Sequence, residues 1–249
     1  VSASNKPPFN TALNDRYKII KEKGQFDFKQ IARVAIALLK ANIWPLISAS
    51  SVIVFTVLAF ALLIANSFPL EELTGMPAQQ QGILDIAMII IVAPLSAGLS
   101  VMGINIARRQ KVTMTDIFKF VSWVLPLALA QLLISVLVQL GLAVLIIPGL
   151  YVFVASTFTL PLIADKKMGV LQAVMASCRA VNQYLLSFIV LFVIFLVLFL
   201  LSIFTFGLGF LLIMPLYFVV TGLLYTTIFD TAEDQQALTG DRQESTFDA

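Results

Sequence analysis

Six runs of mostly apolar residues, near 44–68, 83–106, 123–147, 149–164, 184–206 and 210–229, leave this chain few ways to fold. A bilayer core is crossed by a helix of about 20 apolar residues, because each backbone polar group must find its partner within its own segment. The fourth run is short and is expected to begin inside the outer headgroup zone or to lie with little tilt. Of the 249 residues 59% are hydrophobic and only 12% charged, against about 25% charged in a soluble domain. Too few polar side chains exist to cover a water-facing surface, so the expected class is an all-α integral membrane protein with about six transmembrane helices.

The basic residues predict its orientation. Lys6, Arg16, Lys18, Lys21, Lys23, Lys29, Arg33 and Lys40 precede the first run; Arg108, Arg109, Lys111 and Lys119 lie between the second and third. Lys166, Lys167 and Arg179 come after the fourth run, and Arg242 lies in the tail. The alternate connections, 69–82, 148–149 and 207–209, hold no basic residue, and the first carries Glu71 and Glu72. The positive-inside rule then places both termini in the cytoplasm. The first apolar run is too long and too late to be a cleaved signal peptide.

A segment of intermediate polarity precedes each odd-numbered run. In "FDFKQIARVAIALLKANI" (26–43), Lys29, Arg33 and Lys40 share one helical face opposite Ile31, Val34 and Leu38, with Ile36 a blemish on the polar side. In "TMTDIFKFVSW", Thr113 and Asp116 have capping-box spacing; in "MGVLQAVMASCRAVNQ", Gln172, Arg179 and Gln183 interrupt an apolar helix. These segments read either as interfacial helices with their cations toward anionic headgroups or as N-terminal extensions of the odd-numbered spans. The even-numbered runs each carry a proline toward their outward end: Pro94, Pro148 and Pro215. The implied architecture is three hairpins, each preceded by an amphipathic interfacial helix. Pro148 and Gly149 are expected to form the outer turn of the middle hairpin, and Pro161 to bend the last turn of the short fourth span. Residues 1–25 read as a basic cytoplasmic segment, 26–230 as the transmembrane domain and 231–249 as a polar cytoplasmic tail.

The order "PLSAGLSVMGINIARRQKVTMTDIFKF", "IPGLYVFVASTFTLPLIADKKMGVLQAVMAS", "FTFGLGF", "MPLYFVVTGLLYTTIFD" resembles the YciC-like bacterial inner-membrane proteins and the membrane domain appended to some glycerophosphodiester phosphodiesterases. The resemblance covers about residues 26–230. It implies a six-helix fold in the bacterial inner (plasma) membrane and almost no mechanism, since these families are largely uncharacterised and the catalytic phosphodiesterase domain has no counterpart here.

Chemistry is sparse in the residues themselves. Histidine is absent and Cys178 is the one cysteine, so the usual zinc, copper, haem and iron–sulfur ligand sets and a Ser-His or Cys-His pair are excluded. No phosphate loop, dinucleotide fingerprint or paired catalytic carboxylates occur; no enzyme activity and no cofactor are expected. No run has a charge near its middle, which argues against a proton-coupled pump or a voltage sensor. Asp85 reads as an exposed interfacial carboxylate. Asp165 and Asp230 read most simply as caps of the segments immediately C-terminal to them, with Asp230 and Glu233 in capping-box spacing.

Gln131, Ser135 and Gln139 recur at four-residue intervals on the third run. This polar intramembrane seam is either helix glue, with Ser156, Thr157 and Thr159 as possible partners, or the wall of a solute path. Ala93, Ser96, Ala97 and Ser100 allow close helix contact, internal or between copies. Cys178 reads as an inert thiol, with acylation as the alternative.

The expected function is therefore that of a non-enzymatic inner-membrane protein of envelope or lipid homeostasis, acting through lipid or protein contacts. Lys29, Arg33, Lys40, Arg108, Arg109, Lys166 and Lys167 are its candidate lipid-headgroup contacts. Its partners are membrane lipids, anionic ones first, with other membrane proteins or a second copy also possible and nucleic acid excluded. The alternative is a transporter or channel for a neutral or amphipathic solute.

Overall fold

The computed structural model describes residues 19–20, 25–69, 75–205 and 209–230. These form helices α1 (Phe28–Ala41), α2 (Ile43–Ser67), α3 (Ala78–Ala107), a 3-10 helix (Met114–Trp123), α4 (Val124–Val144), α5 (Ile146–Ala155), α6 (Thr159–Lys166), α7 (Val170–Gln183), α8 (Leu185–Ile203) and α9 (Phe210–Tyr225). A π-helical turn, Thr226–Asp230, ends the series. Among the described residues there is no strand, only an isolated bridge between Ile20 and Phe26. Six helical stretches are long and apolar enough to cross a membrane: Ile43–Ser67, Gln79–Ala107, Met114–Val144, Ile146–Lys166, Leu185–Ile203 and Phe210–Asp230. They coincide with the six apolar runs, and the chain is a multi-pass, all-helical protein. Glu71, Glu72, Glu233, Arg242 and the basic residues before Lys29 lie outside the described residues.

The three segments of intermediate polarity are helical as expected. Asp27 starts α1 by accepting a hydrogen bond from the Gln30 N–H at 3.1 Å. Ile31, Ala35 and Leu39 then fall on one buried face, while Lys29, Arg33 and Lys40 are exposed. Asn42 ends the helix, its amide donating to the Leu38 carbonyl. The capping box at the 3-10 helix forms, with the Thr113 N–H donating to the Asp116 carboxylate at 2.8 Å. On α7, Gln172, Arg179 and Gln183 are exposed and Ala173, Ser177, Ala180 and Val181 buried.

Helices α3 and α9 make the centre. A Cβ added at Gly103 would collide with the Phe218 carbonyl oxygen, and one at Gly222 with the Gly103 carbonyl group. The two backbones therefore touch, an approach that only glycine permits. Ala93, Ala97 and Ser100 are buried within the chain, so the small residues of the second run serve internal packing. At Gly98 the backbone of Ile117 approaches in the same way and seats the 3-10 helix on α3. The outer helices are α2, α4 and α8, where Phe55, Leu62, Leu63, Leu125, Leu140, Leu186, Leu200 and Leu201 are exposed. A belt of that kind suits contact with lipid chains rather than water.

Two turn expectations are corrected. Pro148 and Gly149 do not form the turn between the third and fourth spans: the break falls at Leu145, the sole extended residue between α4 and α5, and Pro148 sits in the first turn of α5. Proline fits there because the N–H it lacks has no helical partner in a first turn. Gly149 instead faces α4, where a Cβ at Gly141 would lie 2.7 Å from its Cα. Pro94 and Pro215 lie within α3 and α9. The fourth span is interrupted at Ser156–Phe158, between α5 and α6, one turn before the bend expected at Pro161. Pro161 cannot donate to the Thr157 carbonyl four residues back, and its ring crowds that carbonyl.

Candidate functional site

The interruption of the fourth span is capped from another helix. Ser177 of α7 donates through Oγ to the Ala155 carbonyl at 2.6 Å and accepts the Phe158 N–H at 3.0 Å. One buried hydroxyl thus pairs two backbone groups that the broken helix leaves open, each of which would cost about 1–3 kcal/mol if left unpaired in an apolar interior. Ser156 and Thr157 turn their hydroxyls back onto the Phe153 and Val154 carbonyls.

Beside this break lies a half-open cavity of about 490 Å³ whose polar side chains stand among apolar ones such as Ile134, Leu160 and Phe218. Ser96 and Ser100 of α3, Gln131, Ser135 and Gln139 of α4, Ser156 and Thr157 at the break, and Tyr217 and Thr221 of α9 line it. The seam read from the sequence is therefore a cavity wall. Gln139 is exposed and Gln131 and Ser135 are half-buried; among the described residues no side chain or backbone group hydrogen-bonds their side chains, whereas the Ser100 and Thr221 hydroxyls bond carbonyls of their own helices. Of the partners considered for the seam, Ser156 and Thr157 reach the cavity. Thr159 is buried elsewhere, its hydroxyl without a partner among the described residues. The seam lies around the middle of α4 and, at about 1.5 Å per residue, covers roughly 12 Å of its length.

A second cavity of about 540 Å³ adjoins the first. Val138, Phe153, Thr157, Tyr217, Phe218 and Thr221 line both. Its remaining walls are apolar, with Phe188, Phe192, Phe195 and Phe199 from α8 facing Phe210 and Met214 from α9. Edge-to-face pairs brace it: Phe195–Tyr217 at 5.2 Å and Phe153–Phe192 at 5.7 Å between centroids. No charged side chain lines either cavity.

The charges gather at one end of the bundle. Arg108 donates Nη1 and Nη2 to the two oxygens of Asp165, 2.9 Å each, and Nε and Nη2 to those of Asp230 at 2.9 and 2.8 Å. Both edges of the guanidinium are thus used in paired, fork-like contacts. The Tyr225 hydroxyl adds a 3.0 Å bond to Asp165, and Lys166 donates to the Phe229 carbonyl at 3.3 Å. Hydrogen bonding to Asp230 raises the Arg108 pKa well above its ordinary value, against the opposing effect of burial, with Asp165 adding to the rise; the guanidinium stays charged. This clamp joins the ends of α3, α6 and α9. It corrects the capping assignment of Asp165, which lies in the last turn of α6, while α7 starts at Val170 with Gly169 as its N-cap and no side-chain cap.

Of the candidate headgroup contacts, Lys29, Arg33, Lys40, Arg109 and Lys167 are exposed. Arg108 is engaged by two carboxylates, and Lys166 bonds Phe229. Lys167, in a left-handed conformation at the end of α6, holds its ammonium 4.1 Å from the Trp123 ring centroid and 5.1 Å from that of Phe120. Asp85 is exposed. Cys178 is half-buried, and burial pushes its thiol pKa up. Among the described residues no cluster of side chains suits a metal ion. Sequence reasoning missed the clamp, Ser177 and the aromatic cavity. The available signal for the first was that Arg108, Asp165 and Asp230 all close spans on the same predicted side.

Compared with protein-family models, curated proteins and solved structures, the chain matches none. Its function is therefore read from geometry.

Proposed function

We propose that this chain is a non-enzymatic multi-pass protein of the bacterial inner membrane, with both termini cytoplasmic, that holds and passes an uncharged molecule between its helices as part of lipid or envelope homeostasis. The cavity beside α4 carries the reading: Gln131, Ser135, Gln139, Ser156 and Thr221 line it together, and the half-buried Gln131 amide, with no protein partner among the described residues, calls for a hydrogen-bonding occupant. A discontinuous helix lies beside it, a feature of membrane carriers; here Ser177 pairs the backbone groups that the break opens, so the cavity is offered side chains. Of the two functions expected from the sequence, this observation favours the path for a neutral or amphipathic solute. The test is uptake of neutral polyols and short-chain alkyl glycosides into proteoliposomes. Protein-dependent uptake should fall at least tenfold in a Gln131→Leu, Gln139→Leu variant that keeps its helicity and thermal midpoint; no protein-dependent uptake of either class would overturn the reading.

The second reading, action through contacts with anionic lipid headgroups, is supported by the exposure of Lys29, Arg33, Lys40 and Arg109. It predicts bound anionic lipid in native mass spectrometry that is lost when Lys29, Arg33 and Arg109 are changed to Gln.

A further inference from the structure

We infer that the two adjoining cavities form one binding site for a single-chain amphiphile with an uncharged, hydroxyl-bearing head, the chemistry of a monoacylglycerol. This rests on the proposed function and names its ligand.

Six residues line both spaces, so the two adjoin, and a molecule that fills both must pass beside Thr157 and Tyr217. In the polar compartment Gln131 and Gln139 each offer donors and an acceptor, and Ser135 offers both through one hydroxyl. A hydroxyl-bearing head also donates and accepts, and so can match the mixed set. A purely hydrocarbon guest would leave the amides unpaired. A carboxylate or phosphate head would find no cation there, because no charged side chain lines the site and the Arg108 guanidinium is occupied along both edges by Asp165 and Asp230. An ammonium head would find no carboxylate. Burying either ion unpaired is strongly disfavoured.

The apolar compartment sets the tail. Its α8 wall runs from Phe188 to Phe199, a length of about 16 Å at the helical rise. One leaflet of the hydrocarbon core, half of about 30 Å, is nearly the same. The wall is aromatic and aliphatic, its few polar atoms lying where it meets the polar compartment. At about 540 Å³ the apolar compartment is of small-molecule size, a space that one alkyl chain can fill. Both volumes fall in the range of small-molecule sites, about 300–1,000 Å³.

The test is photocrosslinking of the full chain in phosphatidylcholine nanodiscs with a monoacylglycerol bearing a mid-chain diazirine. The inference predicts crosslinks on α8 and α9 peptides around Phe195 and Met214, competed by unlabelled monoolein but not by oleate or by an anionic lysophospholipid. Leu196 of α8 also lines the apolar compartment; Leu196→Trp and, separately, Met214→Trp obstruct only that compartment and should lower labelling at least tenfold in protein of unchanged helicity, and Gln131→Leu should do the same from the polar side. If polyol uptake depends on Gln131 while both tryptophan variants take up and crosslink like the parent, the composite site is wrong and the proposed function stands. If oleate competes better than monoolein, the assignment of an uncharged head is wrong. If nothing depends on Gln131, the proposed function fails with it.

Discussion

Arg108 and Asp165 meet edge to edge, two parallel N–H···O bonds of 2.9 Å joining the end of α3 to the end of α6. The opposite edge of the same guanidinium holds Asp230, at the end of the stretch that begins with α9. The side chains are 19% (Arg108), 16% (Asp165) and 7% (Asp230) exposed, so solvent only partly screens the clamp.

Removing the cation should therefore cost more than removing a surface ion pair. Arg108→Met leaves two carboxylates close together in a poorly hydrated place, and a loss of about 3 kcal/mol is expected, at the low end for a broken buried pair. Arg108→Lys should recover little of it, because an ammonium cannot serve both carboxylates along two flat edges. Thermal unfolding in detergent, with Asp165→Asn and Asp230→Asn in a double-mutant cycle with Arg108→Met, measures the coupling. Additive effects would contradict a shared clamp.

The α3–α9 crossing should tolerate nothing larger than glycine. A methyl group at Gly103 or Gly222 must displace main chain rather than a flexible side chain, and overpacking of that kind costs about 1–3 kcal/mol. Gly82, with nothing within 4 Å of an added Cβ, is the control. Gly82→Ala should leave the thermal midpoint unchanged or raised, while Gly103→Ala lowers it.

Ser177→Ala removes one hydroxyl and strands two backbone groups at the break in the fourth span. A loss of about 1–3 kcal/mol is expected, with faster amide exchange at Phe158 than at residues within α6. Exchange unchanged at Phe158 would mean that the break is held by other contacts.

Cys178 should alkylate slowly. Burial raises its thiol pKa, so at neutral pH its thiolate fraction lies below that of an exposed cysteine. Maleimide labelling should speed up as pH rises and on unfolding in SDS. Fast labelling of the folded protein at pH 7 would contradict the burial.

The six spans were legible because hydrophobicity is a local property, summed along one helix at a time. Gln131, Ser135 and Gln139 were legible as a face for the same reason, since four-residue spacing fixes which side chains share a helix surface. What stands opposite that face was not legible. The cavity depends on how α3, α5 and α9 lean on α4, and the aromatic compartment on α8 standing off from α9. Asp165 was misread, and the clamp role of Asp230 went unseen, because short-range capping rules explain an acid at a helix end without a distant partner, and 57 and 122 residues separate the two from Arg108. The interruption at Ser156–Phe158 escaped notice because Pro161 marks where a hydrogen bond is lost, while the Ser177 that stabilises the opening lies on another helix.

A cryo-EM reconstruction of the full chain in native-lipid nanodiscs tests the central claim most directly. A bound amphiphile predicts elongated non-protein density within the bundle, one end within hydrogen-bonding distance of Gln131 or Gln139 and the other between Phe195 and Met214. Gln131, Ser135 and Gln139 hydrogen-bonded directly to α3 and α5, with the space between the helices closed, would contradict it.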